Sequence, residues 1–418
     1  MSEGWVEEEL STLDLGDARR NRRCKQTLRA FSERPQASIP EASTDAAEIQ
    51  GIYGFLSAET TEPEAIRRAH AEAVARRIEG CGEVLIVNDT TELAFNTLRK
   101  AEGLGPLSGS YSRGLMMHSA LVIDAEGVPQ GLLHQEVWAR SEEEVGKRHR
   151  RRQRLIEEKE SQKWLTTVRV CGERLPESVN AWVVGDSESD IYELMAMSRR
   201  EGIDLLIRAT HNRRVDVSGK ISFLRAAAEA APVVGKKTVT LKRTRARQER
   251  TATLEVRLSP SVQILRPKHK AKNTPVKAVT VSVVLVREVG EVPPGEEAVE
   301  WLLVSTRSLE SGEAAQSAVD AYTQRWLVER FHYTAKSGCQ VEKLQLEHAD
   351  RIERAVALYS IVAWRQLHIT YLARTSPEHP CTAALKEVEW KVLHQMTNPG
   401  QALPDRPPAL RTAVRQVA

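Results

Sequence analysis

After Gly80 the chain alternates short apolar runs with helical stretches in a fixed order: three strands, a helix, a strand, a helix and a strand. Val84 to Val87 is the first run, and Met116 to Ile123 and Gly131 to Trp138 follow closely enough to form an antiparallel meander. Residues 154 to 170 carry helical periodicity. Ala181 to Val184 is a strand again, Ser187 to Asp190 caps a helix through Leu194 and Met197, and Leu205 to Arg208 closes the series. This order predicts an α/β fold, a ribonuclease-H-like mixed sheet with flanking helices on both faces.

The flanks follow a different grammar. Residues 1–80 predict a small helical N-terminal domain. Its start signals are Asp45 to Glu48 and, more strongly, Thr61-Glu62-Pro63-Glu64, a capping-box pair with proline in the first turn of a helix ending near Gly80. From about 212 to 299 the alternation is of β type, which predicts a β-rich insertion within a catalytic domain spanning 81–374. Helical signal returns at Ala314 and runs with breaks to about Arg374. Residues 375–418 form a short region in which Pro399, Pro404, Pro407 and Pro408 mark loop before a last helical stretch.

Net charge is only +3, but the cations are clustered. Arg19, Arg20, Arg22, Arg23 and Lys25 form one run, and Arg148, Arg150, Arg151, Arg152 and Arg154 a second. The third stretch extends from Lys236 to Lys277 and includes Lys242, Arg243, Arg245, Arg247, Lys268, Lys270 and Lys272. One such run reads as a solvated face. Three in a nearly neutral chain point to a polyanion, because phosphate contacts dominate nucleic-acid affinity. The five cysteines are widely spaced without a C-x-x-C pair, which argues against zinc fingers and a disulfide framework. With no secretory start and no long apolar run, a cytoplasmic protein with no membrane partner is expected.

Asp89 and Asp186 each stand just past the carboxyl end of an expected strand, the edge where open sheets place ligands. Aspartate also caps strands and turns there, so neither residue alone is decisive. The segment Tyr322 to Lys336 says more. At ~100° per residue, Tyr322, Arg325, Glu329 and Lys336 fall within ~60° of one another on a single helix. An aromatic hydroxyl, two cations and a carboxylate make a poor core face but a suitable wall for an anionic site. An exposed ion pair between Arg325 and Glu329 at i and i+4 is the plainer alternative.

Tyr-x-x-Arg-x-x-x-Glu-x-x-x-x-x-x-Lys resembles the signature of the IS-four family of insertion-sequence transposases. Similarity continues through Leu15 to Arg20, Asp89-Thr90-Thr91, Gly131 to Glu136, Glu158-Lys159-Glu160-Ser161-x-Lys163-Trp164, Asp186-x-Glu188-x-Asp190-Ile191 and Trp301-Leu302-Leu303, in the family's order. The resemblance implies a cut-and-paste transposase in which Asp89, Asp186 and Glu329 are the catalytic, metal-binding carboxylates of a DDE motif. It implies that Tyr322, Arg325 and Lys336 contact phosphates near the cleaved end, and that Trp301 stacks on a flipped base. Arg208 and His211 match basic residues beside the DNA, and Arg19 and Arg20 belong to the stretch expected to bind it.

The implied cofactor is Mg²⁺, with Mn²⁺ able to substitute. The implied partners are double-stranded transposon ends and target DNA, bound by a homodimer in a synaptic complex. Cleavage would pass through a DNA hairpin before strand transfer. The family usually continues further at the carboxyl end, so residues 375–418 read as a shortened region and pairing of two copies is less secure. Two other readings remain: a truncated DNA-binding regulator of transposition, and a recombinase that uses Tyr322 as covalent nucleophile. As for Trp301, its place before Leu302-Leu303-Val304 also suits the start of a buried strand.

Overall fold

The computed structural model describes residues 3–98, 100–109, 111–142, 159–241, 248–267 and 278–417. The arginine run at 148–154 and the basic residues between 242 and 247 and between 268 and 277 lie outside the described residues. Five helices come first: α1 (Glu3–Glu9), α2 (Ala18–Glu33), α3 (Ile39–Ala42), α4 (Ala46–Ser57) and α5 (Pro63–Ile78). The expected strand series follows as β1 (Glu83–Ala94), β2 (Gly105–Pro106), β3 (Arg113–Ile123), β4 (Pro129–Trp138), α6 (Gln162–Arg174), β5 (Asn180–Gly185), α7 (Tyr192–Ala196) and β6 (Ile203–Arg208).

β3 pairs antiparallel with both β1 and β4, whereas β5 runs parallel to β1 and β6 parallel to β5. This is the ribonuclease-H-like arrangement of a mixed sheet. Alternation explains the two cores: Val87, Val184 and Leu206 face one layer of helices, and Ile86, Val183 and Leu205 the other. β5 is buried on both faces, which is why its sequence is a continuous apolar run.

The insertion forms β7 (Arg214–Val217), β8 (Lys220–Phe223), α8 (Leu224–Ala230), β9 (Val233–Leu241), β10 (Arg250–Ile264) and β11 (Val279–Val289). The chain then returns as β12 (Glu300–Ser305), which pairs with both β11 and β6. The insertion therefore extends the same sheet, which holds twelve strands among the described residues. The helices α9 (Gly312–Thr323), α10 (Trp326–Tyr333), α11 (Ala349–Thr375), α12 (Glu387–Thr397) and α13 (Leu410–Val417) complete it. No helix of the described residues is long and apolar enough to cross a membrane.

Two expected helix starts behave differently. Asp45 accepts from the Glu48 amide at 2.8 Å and caps α4 as its sequence suggests. The capping box at Thr61 does not form: Glu62 takes the cap position without a side-chain bond, and Pro63 opens α5. Thr61 is buried instead, with its carbonyl accepting from Arg354 Nε at 2.8 Å. Arg354 on α11 also donates to the Leu56 carbonyl at 3.0 Å and to Asp350 at 2.6 Å, so it ties the end of α4 and the start of α5 to the central helix. Arg354→Met should lower unfolding stability by roughly 2–4 kcal/mol, because buried carbonyls lose a charged donor. Urea denaturation checks this, and a loss under about 1 kcal/mol would show that the joint is held by apolar packing alone.

Candidate active site

The register of β1 and β5 places the two aspartates. Val87 stands opposite Val184 in the parallel ladder, so Asp89 and Asp186, each two residues further on, share a face at adjacent positions. Neighbouring strands lie about 4.8 Å apart. Asp186 stands just beyond β5, as expected. Asp89 does not stand beyond β1: the strand continues to Ala94 against β3, and only the parallel neighbour stops. Both carboxylates thus occupy the notch where β5 leaves β1.

Asp89 accepts from the Thr90 amide at 2.7 Å, and Asp186 from the Glu188 amide at 2.9 Å. Burial, reinforced by the nearby charges of Asp186 and Glu329, pushes the Asp89 carboxyl up to about 6 despite the Thr90 amide and Arg325.

The Tyr322–Lys336 segment is not one continuous α-helix. Tyr322 lies in the last turn of α9, and Arg325 sits in a junction tightened by hydrogen bonds from Leu327 to Gln324 and from Val328 to Arg325. Glu329 is in α10, and Lys336 lies in a π-helical turn at Thr334–Gly338. Tightening and widening change the angle per residue, so the single stripe fails beyond Glu329. Arg325 nevertheless bridges the site: Nη2 donates to Glu329 at 2.6 Å and Nη1 to Asp89 at 3.4 Å. Tyr322 is buried beside Arg325, Arg208 and Asp186, and burial raises its hydroxyl pKa, the wrong direction for a covalent nucleophile. Lys336 is half-buried and pairs with no carboxylate among the described residues.

Beside the carboxylates runs a groove lined by Arg208, His211, Arg225 and Trp301. Trp301 is half-buried at the start of β12, and its ring centre lies 5.4 Å from that of Tyr322 with the planes at 60°. Arg208 ends β6 opposite Leu303 and donates to the Glu300 carbonyl at 3.4 Å.

The expected cap of a helix at Ser187–Asp190 resolves into a 3₁₀ turn at Ser187–Ser189 followed by the short α7. Asp190 turns inward to residues 210–213, a connection that residue spacing alone could not show. In α2, Arg19 is exposed and paired with Asp17, and Arg20 donates to the Leu15 carbonyl. No described contact joins either to the carboxylates.

Three carboxylates offer only oxygen donors, which suits a hard divalent cation, and the Arg325 guanidinium already lies as a cation between two of them. The donor chemistry fits such an ion, although as placed no three His, Cys, Asp or Glu side chains among the described residues stand close enough to hold one. Residues 2–61 match the family model described as transposase DNA-binding, and residues 138–365, more than half of the chain, match that described as transposase DDE domain. Asp186 and Glu329 fall within the second match and Asp89 between the two.

Proposed function

Because the chain belongs to the transposases that carry a DDE domain, we propose that it is a cut-and-paste enzyme of the IS-four type whose catalytic carboxylates are Asp89, Asp186 and Glu329. That it is a DNA transposase with a DNA-binding region follows from the two matches. The observation that supports the catalytic assignment is the notch: Asp89 within β1 and Asp186 just past the end of β5, where the two strands part, with Glu329 joined to Asp89 through Arg325.

Asp89, Asp186 and Glu329 would hold the divalent ions, Mg²⁺ or Mn²⁺ in its place. Such ions, when bound, activate the attacking oxygen and stabilise the leaving oxygen of an in-line displacement. The chain's own groups do the rest. Arg325 and Lys336 bind and neutralise the phosphate at the cleaved end. The Tyr322 hydroxyl, held by burial beside Arg325, donates to that phosphate. Trp301 stacks on an extrahelical base while the freed 3′-hydroxyl attacks the opposite strand to form a hairpin, and Arg208 and His211 line the path of the DNA. The working form is a homodimer on paired ends, acting in the cytoplasm.

Incubating the purified protein with its own element's ends and Mg²⁺ tests the reading, with nicked, hairpin and strand-transfer products resolved on denaturing gels. Ends left intact in the presence of Mg²⁺ and of Mn²⁺ would refute it. End binding should also weaken steeply with salt. Neutralising ~6 phosphates or more would lower affinity by roughly 10³-fold between about 50 and 200 mM salt. Affinity measured by fluorescence anisotropy that barely changes over that range would count against the arginine and lysine runs as phosphate contacts.

A further inference from the structure

The turn that follows Asp186 is folded back on the strand it leaves. Ser189 donates to the Asp186 carbonyl through both its amide, at 3.1 Å, and its hydroxyl, at 2.6 Å. A side chain at Gly185 would strike Ser189, so this close return requires glycine. At the far end of the turn, the Asp190 side chain is 1% exposed, and among the described residues its donors come from 210–213. Oδ2 accepts from the Thr210 amide at 2.8 Å, the His211 amide at 2.7 Å and His211 Nδ1 at 2.9 Å. Oδ1 accepts from Arg213 Nη2 at 2.7 Å and Nε at 3.2 Å, and the Asp190 carbonyl accepts from Arg213 as well. Burial would raise the Asp190 pKa, but the Arg213 charge and these amides outweigh it and leave the carboxyl below its usual range.

We infer that Asp190 is a positioning residue that locks the turn presenting Asp186 to the groove segment carrying His211. Both segments follow neighbouring parallel strands, β5 and β6. An ionised carboxylate only accepts, so His211 Nδ1 carries the proton and Nε2 is the ring nitrogen left for the groove. One buried anion thereby sets where Asp186 stands relative to the wall shared by His211 and Trp301. The inference rests on reading Asp186 as catalytic.

Asp190→Asn preserves volume but offers a single acceptor oxygen, so either Arg213 or the 210–211 amides must face a second donor. At saturating protein, single-turnover nicking of the transposon end should slow by roughly 10–100-fold, the range seen when a group that orients a ligand side chain is lost. End affinity should fall no further than in His211→Ala, and in the Asp190→Asn/His211→Ala double variant affinity should match the single variants while nicking stays slow. That split between rate and affinity is the signature of positioning. A purely structural role predicts rate and affinity falling together, in proportion to the unfolded fraction of the melting curve, and would overturn the inference. So would nicking within about two-fold of wild type in folded Asp190→Asn. If that variant does not fold, Arg213→Lys keeps the charge and loses the paired bonds; several-fold slower nicking supports the clasp, and an unchanged rate removes it. Asp186→Asn run in parallel separates the failures: activity there sinks the catalytic reading itself.

Discussion

Asp89→Asn, Asp186→Asn and Glu329→Gln should each lower Mg²⁺-dependent cleavage by roughly 10³-fold or more, the scale on which core electrostatic or catalytic groups act. The amides keep the shape of each side chain and remove the charge and oxygen pair that a hard cation needs. End binding should hold or tighten, because a negative charge facing phosphates has been removed. In Asp89→Asn the melting temperature should not drop. Burial and the Asp186 and Glu329 charges already oppose ionisation of Asp89, and a neutral amide relieves that opposition. Cleavage assays beside filter binding and melting curves separate these effects. Full cleavage in any one of the three variants removes that residue from the triad.

Trp301→Ala should leave first-strand nicking near the wild-type rate and reduce hairpin formation by roughly 10–100-fold, from a stacking contribution of about 1–3 kcal/mol at the bent transition state. Trp301 is half-buried on a groove wall shared with Arg208 and His211, which suits a platform that a base reaches from solvent. Its edge packs near Tyr322, so some loss of stability accompanies the change. Removing the base at the flipped position should partly restore hairpin formation, since less unstacking is then required. If Trp301 is only a packing residue, nicking and hairpin formation will fall together with the melting temperature, and the missing base will change nothing.

The sequence was most legible where one physical constraint acted alone. β5 is covered on both faces, so its apolar run ends at Gly185 and fixes the strand end that Asp186 follows. β1 loses β5 at Val87 yet keeps β3 as partner, so Thr90, Thr91 and Glu92, which lie past the apolar run, remain in the strand. Periodicity reports side-chain faces and does not show which neighbour stops. The same limit hid the junction at Arg325 and the π turn at Lys336, where changes in backbone bonding leave residue types unaltered. Thr61 and Asp190 both carried local capping signals, and both were claimed by partners distant in sequence, Arg354 and residues 210–213. Local propensity is a weak prior when a buried charge or carbonyl needs a partner.

The seam between β6 and β12 bears on how such enzymes can be remodelled. The chain leaves β6 after Arg208 and comes back at Glu300, so two residues of the groove, Arg208 and Trp301, are spaced by the ladder around Leu303 opposite Arg208. Among the described residues between them, β7 to β11 extend the sheet beyond β12, and α8 packs against β10 and β11. β9 reaches back to the groove: Leu241 at its end lines it, and Lys237 pairs with Asp320 on α9, the helix that carries Tyr322. The insertion is thus part of the groove's own wall, with β12 as the strand that both halves of the sheet share, and remodelling it would carry over to the groove.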